Sequence, residues 1–156
     1  EIVLMSSQPA TLCVTFSVIS GVFAARKALS KLLDGLAPLN LASDDTDSIK
    51  MVLAEVLNNI VEHAYPNPQT PGPIGVQCTL VDNGLYIALT DTGLPMPNDE
   101  SPIGNAPNTD VQFVDLPEGG FGWFLIKMFA QDITYKRSGD INTLSFHLPI
   151  RLTISA

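Results

Sequence analysis

The spacing of apolar and polar residues changes period repeatedly along this chain, and each change marks an element. Thr11 to Ile19 alternates and is rich in β-branched and aromatic residues, which predicts a strand with one buried face. Val22 to Leu36 spaces its Ala, Leu and Lys residues as a helix does, with Gly35 and Pro38 marking the end. The run Ser43-Asp44-Asp45-Thr46-Asp47-Ser48 places capping side chains and early carboxylates at the head of a second helix. That helix is expected to reach about Ala64 and stop before Pro66. Pro66 to Pro73, with four prolines and a glycine, reads as a loop. Ile74–Val81 and Leu85–Thr90 flank the hairpin signal Asp82-Asn83-Gly84. Pro95 to Glu118 holds five prolines and no periodicity, and a loop this long in a compact domain usually serves function. Phe121 to Ala130 reads as a helix, and Ile133–Arg137 with Thr143–Ile150 as a last strand pair around Ser138-Gly139-Asp140.

Strands joined by hairpins beside a few helices predict an α+β fold. The expected form is a two-layer sandwich, with helices packed on one face of a mixed, mostly antiparallel sheet. A chain of 156 residues, 46% hydrophobic, is long enough for one buried core, and a single domain over 1–156 with an N-terminal strand within 10–20 is expected. The balance of 8 basic against 16 acidic residues gives a net charge of −8, which disfavours nucleic acid and anionic membrane as partners. It leaves open a basic protein partner, or a nucleotide held by backbone dipoles and a metal. No apolar run has the roughly 18 residues of a membrane span, and Glu1–Ser7 has no basic start of a secretory signal. Cys13 and Cys78 lack metal-ligand spacing and are expected to be reduced, buried thiols of a cytosolic protein.

The second helix carries the first candidate chemistry. At about 100° per residue, Glu55, Asn58, Asn59 and Glu62 fall in a narrow arc, with Ser48 and Met51 beside them. Ile49, Leu53, Val56, Leu57, Ile60, Val61 and Ala64 fill the opposite arc. A polar stripe is commonly just a solvated face, but this one lacks Lys, Gln and Arg. Asn59 offers a neutral hard oxygen suited to Mg²⁺, and Glu55 stands one turn earlier as a proton acceptor. His63, near the helix end, reads as a packing or capping residue.

Asp91 ends a strand and precedes Thr92-Gly93-Leu94-Pro95. Its carboxylate suits the exocyclic amine of adenine, and Gly93 allows close approach of backbone to a purine; the other reading is a plain turn. Gly119-Gly120-Phe121-Gly122 opens a helix whose free N–H groups can face an anion, or is merely a flexible junction. No Gly-Lys-Ser/Thr follows, so it is not a Walker loop, and Lys127 reads as structural.

Glu55-x-x-x-Asn59-x-x-x-His63-Ala64-Tyr65, the Asp91 stretch and the glycine stretch, in this order, resemble the nucleotide-binding boxes of the histidine-kinase-like (Bergerat) ATPase superfamily. The flanks, Glu62-His63-Ala64-Tyr65 and Leu116-Pro117-Glu118-Gly119-Gly120-Phe121-Gly122, are similar to bacterial anti-sigma factor serine kinases, and the resemblance runs from Thr11 to the end. It implies the Bergerat ATP-binding fold, with ATP and Mg²⁺ as ligands. By resemblance Glu55 is the general base and Asn59 the metal ligand. Asp91 and Gly93 meet adenine with Thr143 supporting the carboxylate, and Gly119, Gly120, Phe121 and Gly122 meet the phosphates. Residues 95–119 would form a lid, and Leu94, Ile103 and Phe124 would pack near the base.

The implied function is that of a homodimeric anti-sigma factor, which sequesters a sigma factor and phosphorylates a serine of an anti-anti-sigma (STAS-type) partner. The alternative is an ATP-binding module that sequesters a partner without catalysis. A gyrase- or MutL-type ATPase, with a transducer domain to follow, and a sensor histidine kinase, with a phosphoacceptor helix pair before Thr11, fit less well. Two departures from the family pattern stand out: Trp123 and Phe124 after the glycines, and no basic residue between Pro95 and Gly122.

Overall fold

The computed structural model describes residues 12–82, 84–96 and 120–151, the side chains of 120–124 excepted. Five strands form one sheet: β1 (Cys13–Ile19), β2 (Pro73–Val81), β3 (Gly84–Asp91), β4 (Gln131–Ser138) and β5 (Ile141–Pro149). Their order is β1-β2-β3-β5-β4, and all four pairings are antiparallel. Among the described residues three α-helices, α1 (Ala24–Leu36), α2 (Ser43–Ala64) and α3 (Gly120–Phe129), and a short 3-10 turn at Ala37–Leu39 complete the α+β fold. The last strand in sequence is inserted between β3 and β4, which brings the ends of β3, β4 and β5 side by side.

Alternation along each strand decides which face is covered. Val18, Ile74, Val76, Cys78, Leu85, Ile87, Leu89, Leu144, Phe146 and Leu148 are buried, at every second position. They meet Ala28, Leu32 and Leu36 of α1 and Ile49, Val52, Leu53, Val56, Leu57 and Ile60 of α2, all in the same core. α2 packs against both α1 and α3, and α1 against β1. The other face bears Thr15, Ser17, Gln77, Tyr86 and Lys136, all exposed. Gly35 fits the close approach of α1 to the sheet: a Cβ there would come within 2.7 Å of both Val14 methyls.

The boundaries shift by a residue or two from expectation, for local reasons. α1 starts at Ala24 rather than Val22, because Gly21 at φ 147° turns the chain after β1 and leaves Val22 and Phe23 exposed in the turn. Ala42, not a Ser or Asp, occupies the N-cap of α2 without a side-chain cap bond; Asp44 and Asp45 supply negative charge to the first turn instead. Asp82, at φ 30°, begins the two-residue connection between Val81 and Gly84, and Gly139, at φ 65°, that between Ser138 and Ile141.

Cys13 departs from the expected burial. It is exposed while Cys78 is buried, and both are free thiols. The two lie on adjacent strands one register step apart, Cys13 opposite Thr79 and Val14 opposite Cys78, so they point to opposite faces. Thr11, the 95–119 stretch beyond Met96, Ile103 and Gly119 lie outside the described residues.

Candidate functional site

Register builds the site before any side chain is considered. Asp91 of β3 pairs with Asn142 of β5, and Asn142 pairs with Arg137 of β4. The next inward row is Leu89, Leu144 and Tyr135. A polar row therefore crosses three strands directly above the apolar core, at the end of the sheet where α2 terminates. Asp91 and Asn142 are both buried, at 7% and 2% exposure. Buried polar groups of this kind require partners.

Asn142 supplies most of them. Its Nδ2 donates to Asp91 Oδ1 at 2.7 Å, to the Leu94 carbonyl at 3.1 Å and to the Gly93 carbonyl at 3.3 Å. Its Oδ1 accepts from Arg137 Nη1 at 2.7 Å and from the Tyr135 hydroxyl at 2.9 Å. Arg137 Nη1 also reaches the Gly93 carbonyl at 3.2 Å. The Gly93 N–H donates to Asp91 Oδ1 at 2.9 Å. Both bonds to Asp91 thus fall on Oδ1, and among the described residues Oδ2 accepts none.

The segment after β3 is clamped to the end of α2. The Leu94 N–H donates to the Ala64 carbonyl at 2.9 Å, capping one of the open carbonyls of the helix. A Cβ on Gly93 would overlap that carbonyl, so the close approach that needs this glycine is to α2. Tyr65 adds a second clamp. Its hydroxyl donates to the Pro73 carbonyl at 2.6 Å and accepts from the Thr92 N–H at 2.8 Å, tying the loop to the start of β2.

Ile60, His63, Ala64, Asp91, Leu94, Met96, Tyr135, Asn142 and Leu144 line a narrow pocket between α2, the Asp91 loop and β4–β5. Its walls are mostly apolar, with one buried carboxylate. Its free volume in this conformation is about 10 Å³, room for one water-sized group, so a larger apolar ligand that donates to Asp91 enters only as the lining side chains move. His63 is exposed and forms part of the rim.

On α2 the predicted stripe divides. Asn58 and Glu62 are exposed, Glu55 is half-buried and Asn59 is buried at 5% exposure. Asn59 Nδ2 donates to the Glu55 carbonyl at 2.7 Å, which fixes the amide and turns its oxygen away from the helix. Among the described residues that oxygen has no donor, an arrangement that fits a hard cation. No cluster of three or more His, Cys, Asp or Glu side chains able to hold a metal occurs among the described residues. A cation at Asn59 would therefore take most of its ligands from a bound molecule and from water, as Mg²⁺ on a nucleotide does.

Thr143 is not where the resemblance put it. It lies opposite Thr90 on the face of β5 turned away from the helices, because side chains alternate and Asn142 takes the inward position beside Asp91. Asn142, Tyr135 and Arg137 were missed by sequence reasoning. The available signal was polar residues at inward positions of otherwise apolar alternations, Asn142 with Leu144, Phe146 and Leu148, and Tyr135 and Arg137 with Ile133. Leu94 lines the pocket; Gly120, Phe121 and Gly122 form the first turn of α3, and Lys127 is exposed further along it.

Residues 22–148 match the family model described as a histidine kinase-like ATPase domain. The chain is 32% identical over 98 residues to the serine-protein kinase RsbW of Staphylococcus epidermidis, and 30% identical over 98 residues to that of Staphylococcus aureus. These alignments cover 62% of the chain and 62% of each relative, so the chain spans less than two thirds of the curated relatives it matches. A crystal structure of the RsbU and RsbW domains of a Mycobacterium tuberculosis protein superposes with a TM-score of 0.58 at 17% identity, covering 91% of this chain and 34% of the other. That likeness concerns the fold.

Proposed function

Because the chain belongs to the histidine kinase-like ATPase domain family, we propose that it binds ATP with Mg²⁺ and transfers the γ-phosphoryl group to a protein serine, as an anti-sigma regulator similar to RsbW. The observation that carries this reading is the buried Asp91 carboxylate, anchored through Oδ1 with Oδ2 left to a ligand in the pocket. An anionic acceptor selects a donor, and adenine presents its exocyclic amine where guanine presents an oxygen.

Asn59 of α2 and the first turn of α3, where Gly120, Phe121 and Gly122 offer backbone N–H groups at a helix start, would hold the phosphates. Asn59 would hold Mg²⁺, which when bound would offset the negative charge of the phosphates. Glu55, one turn before Asn59, accepts the proton of the attacking serine hydroxyl. As it does so, the serine Oγ–P bond forms and the bond from the γ-phosphorus to the oxygen of departing ADP breaks. The partners in this reading are a sigma factor and a STAS-type anti-anti-sigma protein, the kinase works as a homodimer, and its place is the cytoplasm. Among the described residues no helix is long and apolar enough to cross a membrane.

The test is transfer of label from γ-³²P-ATP with Mg²⁺ to anti-anti-sigma proteins, by wild type and Glu55→Ala. The expected result is serine labelling that falls by a factor of about 10² to 10⁴ in Glu55→Ala while ATP still binds. ATP binding without labelling by wild type points instead to a sequestering module that does not turn over. Absence of ATP binding sinks the proposal.

A further inference from the structure

We infer that Asn142, held by Arg137 and Tyr135, is the positioning residue that makes the pocket select a 6-amino purine over a 6-oxo purine; this rests on the nucleotide-binding reading above. A carboxylate alone is a poor discriminator if it can rotate or shift toward solvent. Here it can do neither without breaking bonds, because Oδ1 is held by both the Gly93 N–H and Asn142 Nδ2. Asn142 in turn cannot flip. Its Oδ1 is held by Arg137 Nη1 and the Tyr135 hydroxyl, both donors, and a flip would put that oxygen against the Asp91 carboxylate and the Gly93 and Leu94 carbonyls.

The chain of charge is also aligned. Arg137 is cationic, Asp91 anionic, and the Asn142 amide dipole lies between them with its oxygen toward the cation and its hydrogens toward the anion. Bonds to ionised groups are the stronger kind, and a polarised sequence of them holds its geometry more firmly than isolated bonds. The lock extends to the segment leading out of the site, since the Met96 N–H donates to the Tyr135 hydroxyl at 2.8 Å and Met96 itself lines the pocket. Asn142 therefore sets both the direction of the acceptor and the position of the wall facing it.

A residue that only supports the fold would, when removed, weaken every ligand alike. A residue that orients the acceptor changes the ratio between ligands. The experiment is calorimetric titration of the full chain with Mg-ATP and with Mg-GTP, for wild type, Asn142→Ala and Tyr135→Phe, with thermal melting of each. Wild type is expected to prefer ATP, Asn142→Ala to lose at least about tenfold of that preference, and Tyr135→Phe to lose a smaller part. Tyr135→Phe removes a single hydroxyl and serves if Asn142→Ala does not fold. A wild-type preference for ATP that survives unchanged in the folded variants overturns the inference and leaves the nucleotide reading standing. Failure of wild type to bind ATP removes both.

Discussion

Two residues toward opposite ends of the sheet, Gly93 just after β3 and Cys13 at the start of β1, show how narrowly local contacts set behaviour. Gly93 carries no side chain because the last carbonyl of α2 occupies the space one would need, and backbone cannot yield as a flexible side chain can. Gly93→Ala is expected to push the Asp91 loop off α2, break the Leu94–Ala64 bond and weaken ATP binding by tenfold or more, measured by calorimetry. At the other end, Cys13 is an exposed thiol whose pKa is lowered by hydrogen bonds from Thr79, Thr15 and Gln77, in that order of effect. Cys78 lies one strand away with its thiol pushed up to about 12, chiefly by burial. The thiolate is the reactive form. Iodoacetamide at about pH 8 is therefore expected to add one group to the native chain, at Cys13, and two after unfolding. Peptide mass mapping checks this, and native labelling at Cys78 would contradict the packing of β2.

At the level of elements, the periodicities were legible because each is generated by a local property. The alternation of β2, the amphipathic arc of α2 and the Gly-containing hairpin turns need no knowledge of the rest of the chain. α2 shows this best: of the predicted apolar arc, Ile49, Leu53, Val56, Leu57, Ile60 and Ala64 are buried and Val61 is half-buried, while the polar stripe divides between buried Asn59, half-buried Glu55 and exposed Asn58 and Glu62. That Glu55 and Asn59 share one stripe of α2 was legible for the same reason. What was not legible depends on the order of strands. Asn142 becomes a partner of Asp91 only because β5 lies beside β3, and Arg137 joins them only because β4 flanks β5. A sequence shows Asn142-Thr143 as adjacent polar residues, and a one-residue step decides which of them faces the site. Leu53, fully buried on the central turn of α2, tests the element itself. Leu53→Ala is expected to cost about 2–5 kcal/mol in a denaturant melt. A cost below about 1 kcal/mol would mean that α2 does not anchor the core.

For the whole molecule, the response of folding to pH follows from placing one ionisable thiol inside an apolar sheet. Cys78 is buried on β2 opposite Val14 of β1 and Ile87 of β3, and burial raises its pKa from 9.0 to about 12 in the fold. A raised value for an acid means that folding favours the neutral form. Its contribution is thus complete below the unfolded value of 9.0 and is lost as pH rises through that value toward about 12. The absolute slope of stability with pH sums over every group that ionises there. The comparison with Cys78→Ala isolates this one. The variant is expected to be less stable than wild type at about pH 7, from the lost packing, and to close part of that gap by about pH 10.5, because it has no thiol to ionise. Chemical denaturation at the two pH values measures the difference. Parallel curves for the two proteins would place Cys78 in contact with solvent, and with it the edge of the sheet formed by β1 and β2.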